Sequence, residues 1–168
     1  MLRFRFLIEA FETIAALNVM AYAEFASYLP PGSWESMQKN LRNIKARSEV
    51  AEFIICHSGH DIIGSVAYCP AGKGDPAIFK PDMASILLLA VHPQHRGQGI
   101  AKALTVECIA KAKKDQTSSM GLFTSELMQS AQRLYRSLGF QQELELLKRH
   151  NIRYFRFILP LASDAVGS

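Results

Sequence analysis

The feature that most constrains the fold is an apolar run, Ala84 to Val91, followed by a polar turn with two glycines and then a helical pattern. Only Ser85 interrupts the run, so it reads as a central strand buried on both faces. Pro93-Gln94-His95-Arg96-Gly97-Gln98-Gly99 reads as a turn. After it, Ala101, Leu104, Thr105, Cys108, Ile109 and Ala112 fall at i, i+3, i+4, i+7, i+8 and i+11, an amphipathic helix whose last turn carries Lys111, Lys113 and Lys114. A helix N-terminus leaves backbone N–H groups unpaired and partly positive, and glycines ahead of it let an oxyanion come close. Strand, turn and helix together make an anion cradle. The Walker pattern fails, because Gly99-Ile100-Ala101 stands where Gly-Lys-Ser/Thr is required; the dinucleotide pattern fails because Lys102 replaces its third glycine. From this piece alone, a diphosphate site and an ordinary tight turn both remain open.

The rest of the chain supplies a mixed sheet and more helices. Arg3 to Ile8 alternates as a strand does, and Phe11 to Tyr28 has helical spacing until Leu29-Pro30-Pro31-Gly32 stops it. Ser33 stands at an N-cap position ahead of Trp34, Met37, Leu41 and Ile44, which predicts a second helix. Val50 to His57 and Asp61 to Tyr68 form a predicted antiparallel hairpin, and Pro70 to Pro81 a flexible loop. Met120 to Phe123 is a short strand, and Gln129 to Leu138 a helix ended by Gly139. Phe140 to Leu147 and Ile152 to Leu159 read as a final hairpin turning at Arg149-His150-Asn151. The expected fold class is α/β: one domain over 1–160 with a mixed central sheet flanked by helices, then a disordered tail over 161–168.

Composition narrows the function classes. The 168 residues suit one domain, and no apolar run approaches the roughly 20 residues a membrane span needs. No secretory h-region is seen at the N-terminus, and the odd set Cys56, Cys69 and Cys108 argues against a disulfide framework, so the expected location is cytoplasmic. The net charge of +4 suits an anionic ligand, but the basic residues are scattered, which argues against a nucleic-acid surface. His57-x-x-His60 and His92-x-x-His95 fall in predicted turns with no Cys or carboxylate to complete a set, so no metal site is expected. The C-terminal hairpin offers an edge strand for a homodimer.

Gln94-x-x-Gly97-x-Gly99, preceded by Leu89-Ala90-Val91-His92-Pro93 and followed by Ile100-Ala101, resembles the coenzyme motif of the GNAT acetyltransferases. Further on, Ala131-x-x-Leu134-Tyr135-x-x-Leu138-Gly139-Phe140 is similar to that family's second signature. The resemblance implies an N-acetyltransferase that moves the acetyl group of acetyl-CoA, its cosubstrate, to a primary amine acceptor by direct attack on the thioester. It implies that the backbone of Leu89, Ala90 and Val91 pairs with the pantetheine arm. It assigns coenzyme binding to Gln94, Arg96, Gly97, Gln98, Gly99, Ile100, Ala101 and Lys102, with the amides of Arg96 to Ala101 holding the pyrophosphate and Arg96 and Lys102 placed to add charge-assisted contacts to phosphate. Tyr135 matches the tyrosine that stands near the CoA sulfur. Tyr28, Trp34 and Glu35 lie where the family shapes its acceptor pocket.

Two positions depart from the pattern. Ser85 stands where many relatives carry a glutamate base, and Met128 where an asparagine often begins the second signature. Glu126 and Asp82 are candidate replacements for the base, and each also reads as a plain surface carboxylate. The departures keep a second hypothesis in view: an acyl-CoA-binding sensor or regulatory module with little catalysis.

Overall fold

The computed structural model describes residues 3–6 and 10–161. Its strands are β1 (Arg3–Phe6), β2 (Glu52–Ser58), β3 (Asp61–Cys69), β4 (Met83–Val91), β5 (Ser119–Ser125), β6 (Gln141–Glu145) and β7 (Tyr154–Pro160). Its helices are α1 (Phe11–Tyr22), α2 (Ser33–Arg42), α3 (Ile44–Ser48), α4 (Ile100–Lys114) and α5 (Gln129–Ser137). The seven strands form one sheet in the order β1-β2-β3-β4-β5-β7-β6. All neighbours are antiparallel except β4 and β5, which the crossover helix α4 joins in parallel. The expected α/β architecture with a mixed sheet and flanking helices is what the chain adopts, although Leu7, Ile8 and the tail from 162 lie outside the described residues.

The two faces of the sheet carry separate cores. On one, Leu104, Cys108 and Ala112 of α4 pack against Ile54, Val66, Ile86 and Met120. On the other, Ile14 and Ala15 of α1 and Ile44 of α3 pack against Phe53, Ile55 and Ala67. The three cysteines are buried and free, filling space as small apolar groups.

Local details differ from the sequence reading, each for a physical reason. The first helix stays α-helical only to Tyr22 and tightens to a 3₁₀ turn over Ala23–Tyr28. Leu29 is extended (φ −96°, ψ 148°), as the residue before a proline must be. Gly32, at φ +80°, takes the N-cap of α2, so Ser33 is the first helical residue and caps nothing with its side chain. The α2 stripe does not run through to Ile44, because Asn43 (φ −80°, ψ 57°) breaks the helix and α3 restarts beyond it. The Pro70–Pro81 segment is anchored: Ile78 and Phe79 are buried beside Met83, and Arg156 Nη1 donates to the Ile78 carbonyl at 2.7 Å.

Strand β4 is buried on both faces only in its first half. Met83 to Ile86 are buried, whereas Leu87 to Leu89 are half-buried. A bulge sits here: Leu88 takes φ +55°, and two residues lie between Leu87 and Ala90 where β3 has only Val66 between its paired residues. Bulges re-aim strands and recur beside functional sites. Strand β4 also parts from β5. Their pairing covers Met83↔Ser119, Ala84↔Met120 and Ser85↔Gly121 and ends there.

Candidate active site

The gap where β4 leaves β5 opens into a cavity of about 630 Å³. One wall is Leu89, Ala90 and Val91; the end is the glycine turn and the start of α4; the opposite wall is Leu127 to Ala131, Leu134 and Tyr135. At the turn, Gly97 and Gly99 have φ +76° and +78°, in the left-handed region. A Cβ at either would meet nothing within 4 Å, so conformation rather than space requires glycine. Ala103 N–H is bonded to the Gly99 carbonyl at 3.0 Å, while the first-turn amides before it have no intrahelical acceptor. The chain thus presents unpaired N–H groups, with the positive end of a 15-residue helix behind them, at the mouth of the cavity.

The structure sorts the predicted loop residues. Gly97, Gly99, Ile100, Ala101 and Lys102 line the cavity, together with Leu89, Ala90 and Val91. Gln94 and Gln98 are exposed and line neither cavity. Gln94 N–H donates to His92 Nδ1 at 3.1 Å, so the first His of that pair holds the turn. Arg96 also lines the cavity, but its guanidinium is tied to the end of the first helix. Nη2 donates to the Ala21 carbonyl and Nη1 pairs with Glu24, both at 2.9 Å. Among the described residues no three His, Cys, Asp or Glu side chains converge as a metal site, and no helix is long and apolar enough to cross a membrane.

Deeper in, a second cavity of about 140 Å³ adjoins the first, and Tyr22, Leu89, Met128 and Tyr135 line both. Tyr135 is 6% exposed, packs edge-on against Phe140, and makes no hydrogen bond to another described residue. Burial pushes its hydroxyl well above the ordinary tyrosine value, with Tyr22 and Cys108 adding to the shift. Burial, then Tyr154, likewise raises Tyr22 to about 12, with Arg47 opposing. The Tyr22 hydroxyl donates to the Leu89 carbonyl at 3.0 Å, holding the bulged part of β4 against α1. Both phenols therefore stay protonated at neutral pH. Met128, where the sequence departs from the pattern, precedes α5 and accepts from Thr124 Oγ1 through its sulfur at 3.5 Å.

The expected base and acceptor-pocket residues lie elsewhere. Glu126 lines neither cavity; its carboxylate accepts from Arg153 N–H at 3.0 Å and ties the end of β5 to β7. Asp82 is exposed and accepts from Ser118 Oγ. Ser85 is fully buried outside both cavities, against the 70–81 segment: a Cβ on Gly74 would lie 3.3 Å from its Oγ. Tyr28, 66% exposed, Trp34 and Glu35 line neither cavity; the part of α2 that reaches the inner cavity is one turn further on, at Met37, Asn40 and Leu41.

Sequence reasoning missed Arg47, Arg149 and His150, which line the inner cavity with Tyr22 and Tyr154. In sequence Arg149 and His150 are turn residues and Arg47 one cation among many. The break at Asn43, after which the short helix α3 carries Arg47, has no strong sequence signal.

The sequence profile of the acetyltransferase (GNAT) domain family matches residues 49–142. N-acetyltransferase 8 of Mus musculus is 37% identical over 116 residues, 66% of this chain and 50% of that protein. Probable N-acetyltransferase family 8 member 5 of Mus musculus is 30% identical over 161 residues, 89% of this chain and 67% of that protein. The chain spans half or less of the first curated relatives it matches. Among solved structures, the fold is similar to PaiA N-acetyltransferase from Thermoplasma acidophilum in complex with coenzyme A (TM-score 0.71, 17% identity, 93% of this chain and 98% of that one). It is also similar to the ribosomal-protein-S18-alanine N-acetyltransferase from Escherichia coli (TM-score 0.70, 17% identity, 99% of each chain). The profile match covers more than half of the chain, and it includes the glycine turn, the parted strands and Tyr135; this chain belongs to the GNAT acetyltransferase family.

Proposed function

We propose that this chain transfers the acetyl group of acetyl-CoA to a primary amine. The observation that carries the reading is the separation of β4 from β5 beyond Ser85 and Gly121, which joins the amide-rich turn at Gly97–Gly99 to Tyr135 through one cavity. Unpaired amides at the start of α4, with Lys102 beside them, suit the pyrophosphate. Leu89 to Val91 suit a pantetheine arm that lies along β4 in the place of a neighbouring strand. The thioester then lies near Tyr135, where the two cavities meet.

The reaction joins the amine nitrogen to the acetyl carbon and breaks the carbon–sulfur bond. Counted from the neutral amine, the nitrogen loses one proton and the sulfur gains one; an acceptor that arrives as ammonium first releases a further proton to solvent. A phenol held above its ordinary pKa does not give up its proton for good to a thiolate, whose conjugate acid is stronger. Tyr135 acts instead by donating a hydrogen bond to the departing sulfur, and the nitrogen, made acidic by acylation, supplies the proton. Three buried free thiols suit a reducing compartment, so we place the protein in the cytoplasm.

Thermal unfolding with and without acetyl-CoA tests the reading. At about 100 times its dissociation constant the ligand adds roughly 2.7 kcal/mol. For a domain of this size that is a shift of about 5–10 °C. Gly97→Glu puts a carboxylate at the anion cradle and a side chain at a residue of φ +76°, and it abolishes the shift. Neither a shift nor thiol release with any amine would sink the proposal.

A further inference from the structure

The inner cavity is cationic. Arg47 from α3 and Arg149 and His150 from the turn before β7 face it, and among the described residues lining it there is no aspartate or glutamate. Neither arginine forms an ion pair with a described residue, although Arg153 and Arg156 close by are both bonded to glutamates. Arg47 Nε is buried without a hydrogen-bond partner among the described residues. Arg149, an exposed residue, lies with its guanidinium carbon 5.3 Å from the centre of the Phe123 ring. Burial, and then the charge of Arg149, lower the Arg47 pKa, as expected of two cations facing one space.

Arg47 is half-buried and Arg149 exposed, so the cost falls on the buried Arg47 Nε, which an anion held between the two arginines would supply with a partner. Arginine's fork of donors matches the two oxygens of a carboxylate. The coenzyme phosphates do not serve, because their cradle is at the other end of the outer cavity, beyond Tyr135. We infer that the acceptor is a small amine bearing a carboxylate, an amino-acid-like molecule whose acid group sits between Arg47 and Arg149 while its amine points to the join at Tyr135. This rests on the transferase reading and narrows its substrate class. A polyamine or other purely cationic acceptor is disfavoured by the same charges, since like charge repels it from the cavity.

The test compares each amino acid with its carboxamide and with the amine lacking the acid group, using the full chain and acetyl-CoA. In parallel, calorimetry measures how the CoA-loaded protein binds N-acetyl amino acids and their carboxamides. The expected result is a preference of about tenfold or more for the acid in both assays, the scale of a charge-assisted pair. The preference should vanish in Arg47→Met/Arg149→Met and return in part in Arg47→Lys/Arg149→Lys, with KM for acetyl-CoA unchanged in both. Equal or better use of carboxamides or plain amines would overturn the inference and leave the transferase reading standing. Failure of acetyl-CoA to bind at all would remove that reading and this inference together.

Discussion

Gly64→Ala tests whether the start of α4, and with it the anion cradle, is set by contact with the sheet. Gly64 lies in β3 opposite Val91, at the end of β4. It carries no positive φ, so alanine meets no backbone objection, and only space decides. A Cβ there would lie 2.7 Å from Ile100 Cγ2 and 3.1 Å from Leu104 Cδ1. Ile100 is 1% and Leu104 0% exposed, so neither can swing into solvent. Ile100 is also β-branched and stiff at χ1, and it opens α4, so relief requires the helix itself to lift. Overpacking of this kind costs about 1–3 kcal/mol. Alanine recovers roughly 0.4–1 kcal/mol by restricting the unfolded chain. From the midpoints of these ranges the net loss is about 1.3 kcal/mol, or roughly 3–5 °C in Tm. Acetyl-CoA affinity falls as well, because the lifted residues carry the unpaired amides. Calorimetric unfolding and acetyl-CoA titration measure both. Ile100→Ala on the Gly64→Ala background removes the clashing methyl, so the double variant is more stable than the two single losses sum to. A Gly64→Ala protein as stable as the parent, or one that binds acetyl-CoA equally well, would refute the reasoning.

Two further outcomes follow from the structure. Tyr135→Phe lowers kcat by roughly 100-fold, the lower end of what a positioned proton or hydrogen-bond donor supplies. KM for acetyl-CoA and Tm change little, since the hydroxyl bonds to no described residue; steady-state kinetics with unfolding measurements check this. Glu143 should contribute to acid sensitivity. Burial pushes its carboxyl up, but hydrogen bonds from Arg156 and Lys80 outweigh this and hold it below the usual glutamate value. A depressed folded pKa means stability that is complete above the unfolded value and is lost as pH falls through the folded one. Glu143→Gln should therefore unfold at lower temperature near pH 6 and flatten the acid limb of the stability curve, which unfolding scans from pH 6 to pH 2.5 would show.

Much of this site was legible in the chain because its chemistry is local. An apolar strand, a turn needing positive φ at Gly97 and Gly99, and an amphipathic helix are consecutive, so spacing alone places unpaired amides beside glycines. Tyr135 falls within a continuous helix signature, and Gly139, at φ +97°, ends that helix as its position predicts. What periodicity could not supply was anything that depends on which elements face one another. Glu126 and Asp82 read as acids near the right strands, but the pairing of β5 with β7 and a surface hydroxyl occupy them. Trp34 and Glu35 stand at the right break in the chain, yet the inner cavity meets α2 a turn later.

By itself, then, the sequence determined the family, the order of elements and the glycine-turn end of the cavity, because each rests on neighbours along the chain. The tertiary structure alone decided that β4 bulges at Leu88 and leaves β5 after three paired residues. It also brought Tyr22, Arg47, Tyr135 and Arg149 to one cavity from four separate segments. The physical reason is that a cavity is a failure of pairing and packing between distant elements, and no local propensity records it.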